Sequence, residues 1–99
     1  MKKKISKAIK ELEKAGFKVF NFSSNKRLNI GMRDFVDYVV ITRNIVWFLE
    51  LKIGTDKMNA GQNDTYYRLQ VMAPQGAIRY RIITEKNYKA MIDDIVRHG

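Results

Sequence analysis

Two carboxylates and an ammonium stand at spacings that would bring them together if the middle of the chain is a β-hairpin. Asp37 lies near the start of the run Val36 to Ile41, Glu50 and Lys52 close the run Ile45 to Lys52, and Thr42-Arg43-Asn44 separates the two. If Arg43 and Asn44 are the turn residues, Thr42 pairs with Ile45, and counting outward pairs Ile41 with Val46, Val39 with Phe48 and Asp37 with Glu50. Residues two apart on a strand share a face, so Lys52 joins Glu50, while Ile45, Trp47, Leu49 and Leu51 fall on the opposite, apolar side. Two carboxylates facing each other across a sheet repel, so the arrangement calls for a cation that neutralises both. Magnesium fits that demand: it takes one or two protein carboxylates, keeps several waters and accepts phosphate oxygens in its remaining positions. Lys52 beside it can orient a water or stabilise charge developing on a phosphate. The expected chemistry is phosphodiester hydrolysis. The plainer alternative is a surface ion pair of Lys52 with one carboxylate, worth about 0–1 kcal/mol and needing no function. Against it stands the position of the triplet at the ends of the most apolar strands in the chain, where ionisable groups are costly.

The elements that must position these groups follow from periodicity. Ile5, Ala8, Ile9 and Leu12 recur at helical spacing, with lysines and glutamates between them, and predict an amphipathic helix over residues 4–15 that Gly16 ends. Phe17, Val19 and Asn21 alternate with Lys18, Phe20 and Phe22 as a strand, and the polar, basic stretch Ser23 to Gly31 is a loop. The two β-branched and aromatic runs form the hairpin, which breaks at Gly54. A polar loop over 53–61 leads to a helix carrying Tyr66, Leu69, Gln70 and Met72, closed off by Pro74 and Gly76. Ala77 to Ile83 alternates Ile78, Tyr80 and Ile82 with Arg79 and Arg81, a strand. Thr84 then caps a last helix whose buried stripe is Tyr88, Met91, Ile92, Ile95 and Val96. The predicted order is α-β-β-β-α-β-α in one domain over residues 1–99.

Composition narrows the function classes. Nineteen Lys and Arg against ten Asp and Glu give a formal charge of +9, which makes phosphate backbones the first partner to consider. With no cysteine, disulfides and thiolate metal sites are excluded. The single histidine, His98, sits at the chain end without an expected partner, so zinc and histidine general-base chemistry are not expected. No apolar run is long enough for a membrane span and the lysine-rich start lacks a signal-peptide core, so a cytoplasmic protein is expected.

The run Gly31-Met32-Arg33-Asp34-Phe35-Val36-Asp37-Tyr38-Val39-Val40-Ile41, then Phe48-Leu49-Glu50-Leu51-Lys52, then Lys57-Met58-Asn59-Ala60-Gly61-Gln62, resembles the virus-type replication-repair nuclease (VRR-NUC) domain, a branch of the PD-(D/E)XK superfamily. The resemblance spans nearly the whole chain. It implies an α+β, restriction-endonuclease-like fold with a mixed central sheet flanked by helices. It also implies a magnesium-dependent deoxyribonuclease, with manganese able to substitute, in which Asp37, Glu50, Lys52 and Gln62 are catalytic and Asp37, Glu50 and the Leu51 backbone carbonyl are the metal ligands. The family pattern sets its aspartate soon after the glycine, commonly behind a proline; this chain offers Asp34 and Asp37, with Arg33 or Val36 in the proline place. Asp37 is preferred because it faces Glu50, whereas Asp34 points to the other face of an ideal strand. Relatives often add a glutamate from the first helix. Glu11 or Glu13 could take that part, although a solvated face is the simpler reading. Stand-alone members imply a phage or prophage role in replication, recombination or DNA repair on branched DNA such as four-way (Holliday) junctions or flaps, by a homodimer. A binding module of the same fold that cuts nothing is the alternative.

Lys26, Arg27, Arg33 and Lys57 are the expected phosphate contacts, and Tyr66 a nucleotide-stacking candidate; core packing is the ordinary role for such a tyrosine, and solubility for such basic residues. Apolar side chains in excess of one small core, Tyr66, Tyr67, Met72 and Trp47, are the candidates for a dimer surface. If this reading holds, DNA binding falls steeply between low and moderate salt, because each phosphate contact releases a counterion. Neutralising Lys26 and Arg27 together should weaken all DNA about equally, since phosphate contacts carry no base information. Filter binding across a salt series checks both; affinity indifferent to salt refutes them.

Overall fold

The computed structural model describes residues 2–22, 36–54, 60–72 and 76–98. Helix α1 (Lys2–Lys10) continues into a 3₁₀ turn (Glu11–Ala15), followed by β1 (Lys18–Asn21), β2 (Tyr38–Ile41), β3 (Val46–Leu51), α2 (Ala60–Met72), β4 (Ile78–Ile83) and α3 (Tyr88–His98). The fold is α+β, built on one four-stranded mixed sheet in the order β1-β2-β3-β4. Neighbours β1–β2 and β2–β3 are antiparallel and β3–β4 parallel. A parallel pair needs a crossover, and α2 supplies it.

The single helix expected over 4–15 is therefore two pieces, and its last turn tightens before reversing. Gly16 adopts φ 89°, open to glycine without a Cβ clash, and its N–H reaches the Glu13 carbonyl at 3.0 Å while that of Phe17 reaches Leu12 at 3.4 Å. The hairpin turn is where the spacing put it: Thr42 N–H donates to the Ile45 carbonyl at 3.0 Å, and the Thr42 hydroxyl donates to the same carbonyl at 2.9 Å. The register that follows pairs Ile41 with Val46, Val39 with Phe48 and Tyr38 with Leu49.

Strand parity divides the interior into two cores. On one face Tyr38, Val40, Ile45, Trp47, Leu49, Leu51 and Ile83 pack with Ile5, Ile9 and Leu12 of the first helical segment and Ile95 of α3. On the other, Val36, Val39 and Tyr80 pack with Phe22, Phe48, Ile82 and with Tyr66 and Leu69 of α2. The sheet thus lies between two helical layers: α1 and α3 give one face an apolar stripe, and α2 gives the other Tyr66 and Leu69. Arg79 and Arg81 place their guanidiniums 5.8 and 5.9 Å from the centre of the Trp47 ring, closing the edge of the first core with charged side chains that a small domain can spare.

Several expectations are corrected. Helix α2 begins at Ala60, inside the stretch read as loop. Val96 is half exposed and leaves the stripe of α3 to Tyr88, Met91, Ile92 and Ile95, because its position turns away from the sheet. Thr84 does cap, through a turn rather than at the first helical residue: its hydroxyl accepts the Asn87 N–H at 3.3 Å, and the Asn87 side chain accepts the Thr84 N–H at 2.7 Å. His98 has a partner, Asp94 one helical turn earlier at 3.0 Å. No helix among the described residues is long and apolar enough to cross a membrane.

Replacing Ile9, fully buried between α1 and the sheet, by Ala should cost about 2–5 kcal/mol, through lost transfer energy and the cavity left behind. Tyr67→Ala, at a side chain 70% exposed, should stay within about 0.5 kcal/mol. Urea unfolding of the two variants beside the parent checks the contrast; equal losses would mean the α1 face is not the core.

Candidate active site

Glu50 is the penultimate residue of the apolar strand β3 and is only 1% exposed. Its neighbours in sequence, Leu49 and Leu51, point into the α1–α3 core, so parity sends Glu50 to the α2 side, where Phe48 precedes it and Lys52 follows. A carboxylate at that depth requires compensation. The first turn of α2 provides part of it: the Gln62 side-chain amide donates to Glu50 Oε1 at 3.1 Å and its carbonyl accepts from Lys52 Nζ at 2.8 Å. Lys52 Nζ stands 3.9 Å from the same Glu50 oxygen, a direct but longer charge pair. The amide is held in one orientation, because only its N–H end can face the carboxylate and only its oxygen the ammonium. Lys52 is fixed at the backbone too, its N–H donating to the Ile83 carbonyl of β4 at 2.9 Å.

Asp37 reaches the site by a route that register counting does not give. The ladder stops one pair short, at Tyr38 and Leu49, and the Asp37 N–H donates to the Leu49 carbonyl at 3.1 Å instead of continuing to Glu50. The strand bends away there. Asp37 Oδ2 then takes the place of a strand partner, accepting the Leu51 N–H at 2.8 Å. Strand geometry sends the N–H and C=O of one residue to the same edge, so the Leu51 carbonyl is directed to the Asp37 side. The expected direct cross-strand pair of Asp37 and Glu50 is corrected accordingly: the two carboxylates come from adjoining strands, but offset, with the Leu51 peptide between them.

Tyr80 is the residue that sequence reasoning missed as part of this site. It is 1% exposed, in register with Phe48 on the parallel neighbour β4, and its ring meets Tyr66 edge-on at 4.8 Å. Burial foremost, then the negative charges of Glu50 and of Asp37, push its hydroxyl above the ordinary tyrosine value. Both carboxylates therefore act on one point beneath α2. The alternation Ile78-Tyr80-Ile82 gave the face of Tyr80, but the β3–β4 register that sets it beside Glu50 arises only from the crossover.

Asp37, Glu50, Lys52, Gln62 and Leu51 are brought together. Tyr66 is not left free for a ligand; its ring is part of the second core against Tyr80. Trp47 is fully buried and no longer available to a dimer surface, whereas Tyr67 and Val71 on the outer face of α2 are 70% and 63% exposed. Glu11 and Glu13 are exposed on the layer opposite Glu50, so neither joins the site. Lys26, Arg27, Gly31, Arg33, Asp34 and Lys57, and the side chain of Met72, lie outside the described residues. No protein-family model, curated protein or solved structure matches this chain.

Because the folded state holds the Tyr80 proton more tightly than the unfolded chain does, the folded state binds more protons above about pH 10. Stability from this group is complete below that pH and is lost progressively as pH rises above it toward the raised value of the folded state. Tyr80→Phe should therefore flatten the alkaline decline in urea midpoint from about pH 10 upward. The one tyrosinate that the parent can form and this variant cannot should appear in the absorbance only with unfolding; its appearance in the native state near pH 10 would contradict the burial.

Proposed function

We propose that this chain is a metal-dependent endonuclease that hydrolyses phosphodiester bonds of DNA, with a core of the restriction-endonuclease-like, PD-(D/E)XK kind and a site of the VRR-NUC type. The observation that carries the reading is the convergence of Glu50, Lys52 and Gln62 in one hydrogen-bonded set beside Asp37, at the end of two strands otherwise committed to the core. A structural ion pair needs no second carboxylate and no amide bridge, and a buried one is weak support for stability.

The donor set suits a hard divalent cation. Two carboxylates and a backbone carbonyl supply oxygen ligands only, the preference of magnesium or manganese, and leave the other octahedral positions to water and phosphate. Among the described residues no group of three or more acidic, histidine or cysteine side chains stands together. When bound, such an ion supplies Lewis-acid polarisation of the phosphate and acidifies water. The protein's own groups do the rest. Asp37 and Glu50 fix the position of the positive charge. Lys52, held by Gln62, sets an ammonium where negative charge grows on the phosphate and its attacking oxygen. Gln62 bridges Lys52 and Glu50 and so fixes both side chains, and the N-terminal turn of α2 that carries it adds the positive end of a helix dipole. The +9 charge draws the polyanion to the domain.

The proposed substrate is branched DNA, four-way junctions or flaps, met in phage or prophage replication, recombination or repair, with two copies acting as a dimer; Tyr67 and Val71, exposed together on α2, are apolar side chains open to that contact. One observation favours the alternative of a silent DNA-binding module: no acid from α1 or its 3₁₀ extension reaches the site.

Cleavage of labelled junction, flap and linear DNA with magnesium, manganese or chelator separates the two. Asp37→Asn, Glu50→Gln and Lys52→Ala should each abolish cutting, a loss of about 10²-fold or more, while DNA binding survives or improves in the two carboxylate variants. Asp34→Asn should stay active. Full activity in Glu50→Gln would remove the nuclease reading and leave the binding module.

A further inference from the structure

Among the described residues strand β1 is an edge of the sheet, and on the face shared with Glu50 the chain presents Lys18, Phe20 and, just past the strand, Phe22. Phe22 is anchored: it packs with Val36, Val39 and Tyr80, and its N–H donates to the Asp37 carbonyl at 2.8 Å. Phe20 is in register with Val39 and remains 39% exposed. Its ring lies nearly parallel to that of Phe22, at 17° and 6.3 Å between centres, and Lys18 holds its ammonium 5.4 Å from the Phe20 centre. Two strand residues along and one strand across put the Phe20 Cα about 8–9 Å from that of Asp37.

We propose that Phe20, braced by Phe22 and flanked by Lys18, is a stacking subsite for an unpaired nucleobase of the strand whose phosphate lies at the carboxylates. The placement of that phosphate rests on the nuclease reading above. Aromatic faces next to a cationic groove take bases of single strands without regard to sequence, because every base offers a π-face and carries a phosphate for the ammonium. A base inside a duplex has both faces covered by its neighbours, so Phe20 selects nucleotides that are unpaired or splayed at a junction or flap. Lys18 rests on the ring in the absence of a base; when a base stacks, the ammonium swings to the adjoining phosphate. The charge argues against an apolar segment of a second copy as occupant, since burying Phe20 that way would strip Lys18 of water with no anion to meet it. The role given to Tyr66 by its position in sequence passes to a residue on the open edge.

The test is binding without cutting. Fluorescence anisotropy in chelator would compare a labelled oligothymidylate of about 12 nucleotides with a blunt duplex of the same length, for the parent, Phe20→Ala and Phe20→Trp. Phe20→Ala should weaken oligothymidylate binding about tenfold, the lower end of a lost base–aromatic stack, and leave the duplex within about twofold. Phe20→Trp should restore the single-strand affinity and show quenched fluorescence of the new indole on binding. Circular dichroism confirms that the exposed substitutions leave the fold intact. Equal losses on both probes, or no loss on oligothymidylate, overturn the proposal. A fall in molar mass by light scattering in Phe20→Ala, with single-strand affinity unchanged, overturns it in favour of a second copy as occupant. If the parent cuts no substrate but the single-strand discrimination by Phe20 holds, the nuclease reading fails and this one stands.

Discussion

A carboxylate with 1% of its surface exposed is the constraint around which the fold is arranged. Burying an ionised group costs several kcal/mol unless charge and hydrogen bonds replace the lost water. The replacements for Glu50 come from elsewhere in the chain: the Gln62 amide from the start of α2, and the Lys52 ammonium from the strand's own end. Satisfying Glu50 thus requires the hairpin to form, α2 to cross over the sheet and β4 to seat in parallel register, where its Ile83 carbonyl holds the Lys52 backbone. The site is assembled by the same event that closes the second core. Removing Gln62 would leave the carboxylate and the ammonium both short of a partner, which is more damaging than losing one neutral hydrogen bond.

Parity then separates stability from chemistry along a single strand. In β3 and its ends, the odd-numbered residues Ile45, Trp47, Leu49 and Leu51 feed the larger core, and the even ones, Phe48, Glu50 and Lys52, line the face beneath α2. A slip of one residue in this strand would turn Lys52 into the larger core and Trp47 to the α2 face, so the apolar core fixes the register on which the polar set depends. The bend before β2 has its own use. By leaving the ladder at Asp37, the chain frees a carboxylate to cap the Leu51 peptide, tying the two acidic residues together through backbone at 2.8 Å and not through strand pairing.

Much of this was legible in the residues. The two-residue turn at Arg43 and Asn44, the apolar alternation on either side of it and the convergence of Glu50 with Lys52 need only strand periodicity and counting. Gln62 carries no local signal of its role, since nothing in the residues around it distinguishes a polar side chain near a helix start. Asp37 was expected directly opposite Glu50 and stands offset, because a break in a ladder depends on what the next segment does and leaves no mark in hydrophobic alternation. The same limit hid Tyr80, whose role comes from a parallel register set by the length and path of the α2 crossover. For Tyr66 and Tyr67, adjacent on one helix, sequence cannot say which faces the sheet; Tyr66 does, and Tyr67 is left outside.

The central claim is that Glu50 and Asp37 together hold a divalent cation, and binding linkage tests it without any substrate. A ligand at a hundred times its Kd stabilises the folded state by about 2.7 kcal/mol, which for a domain of this size is a rise in Tm on the order of 10 °C. The measurement is the thermal unfolding midpoint in chelator and across a series of magnesium or manganese concentrations, for the parent, Asp37→Asn and Glu50→Gln. The account predicts a concentration-dependent rise in the parent that both variants lose. A parent indifferent to both ions, or an equal rise in all three proteins, would contradict it.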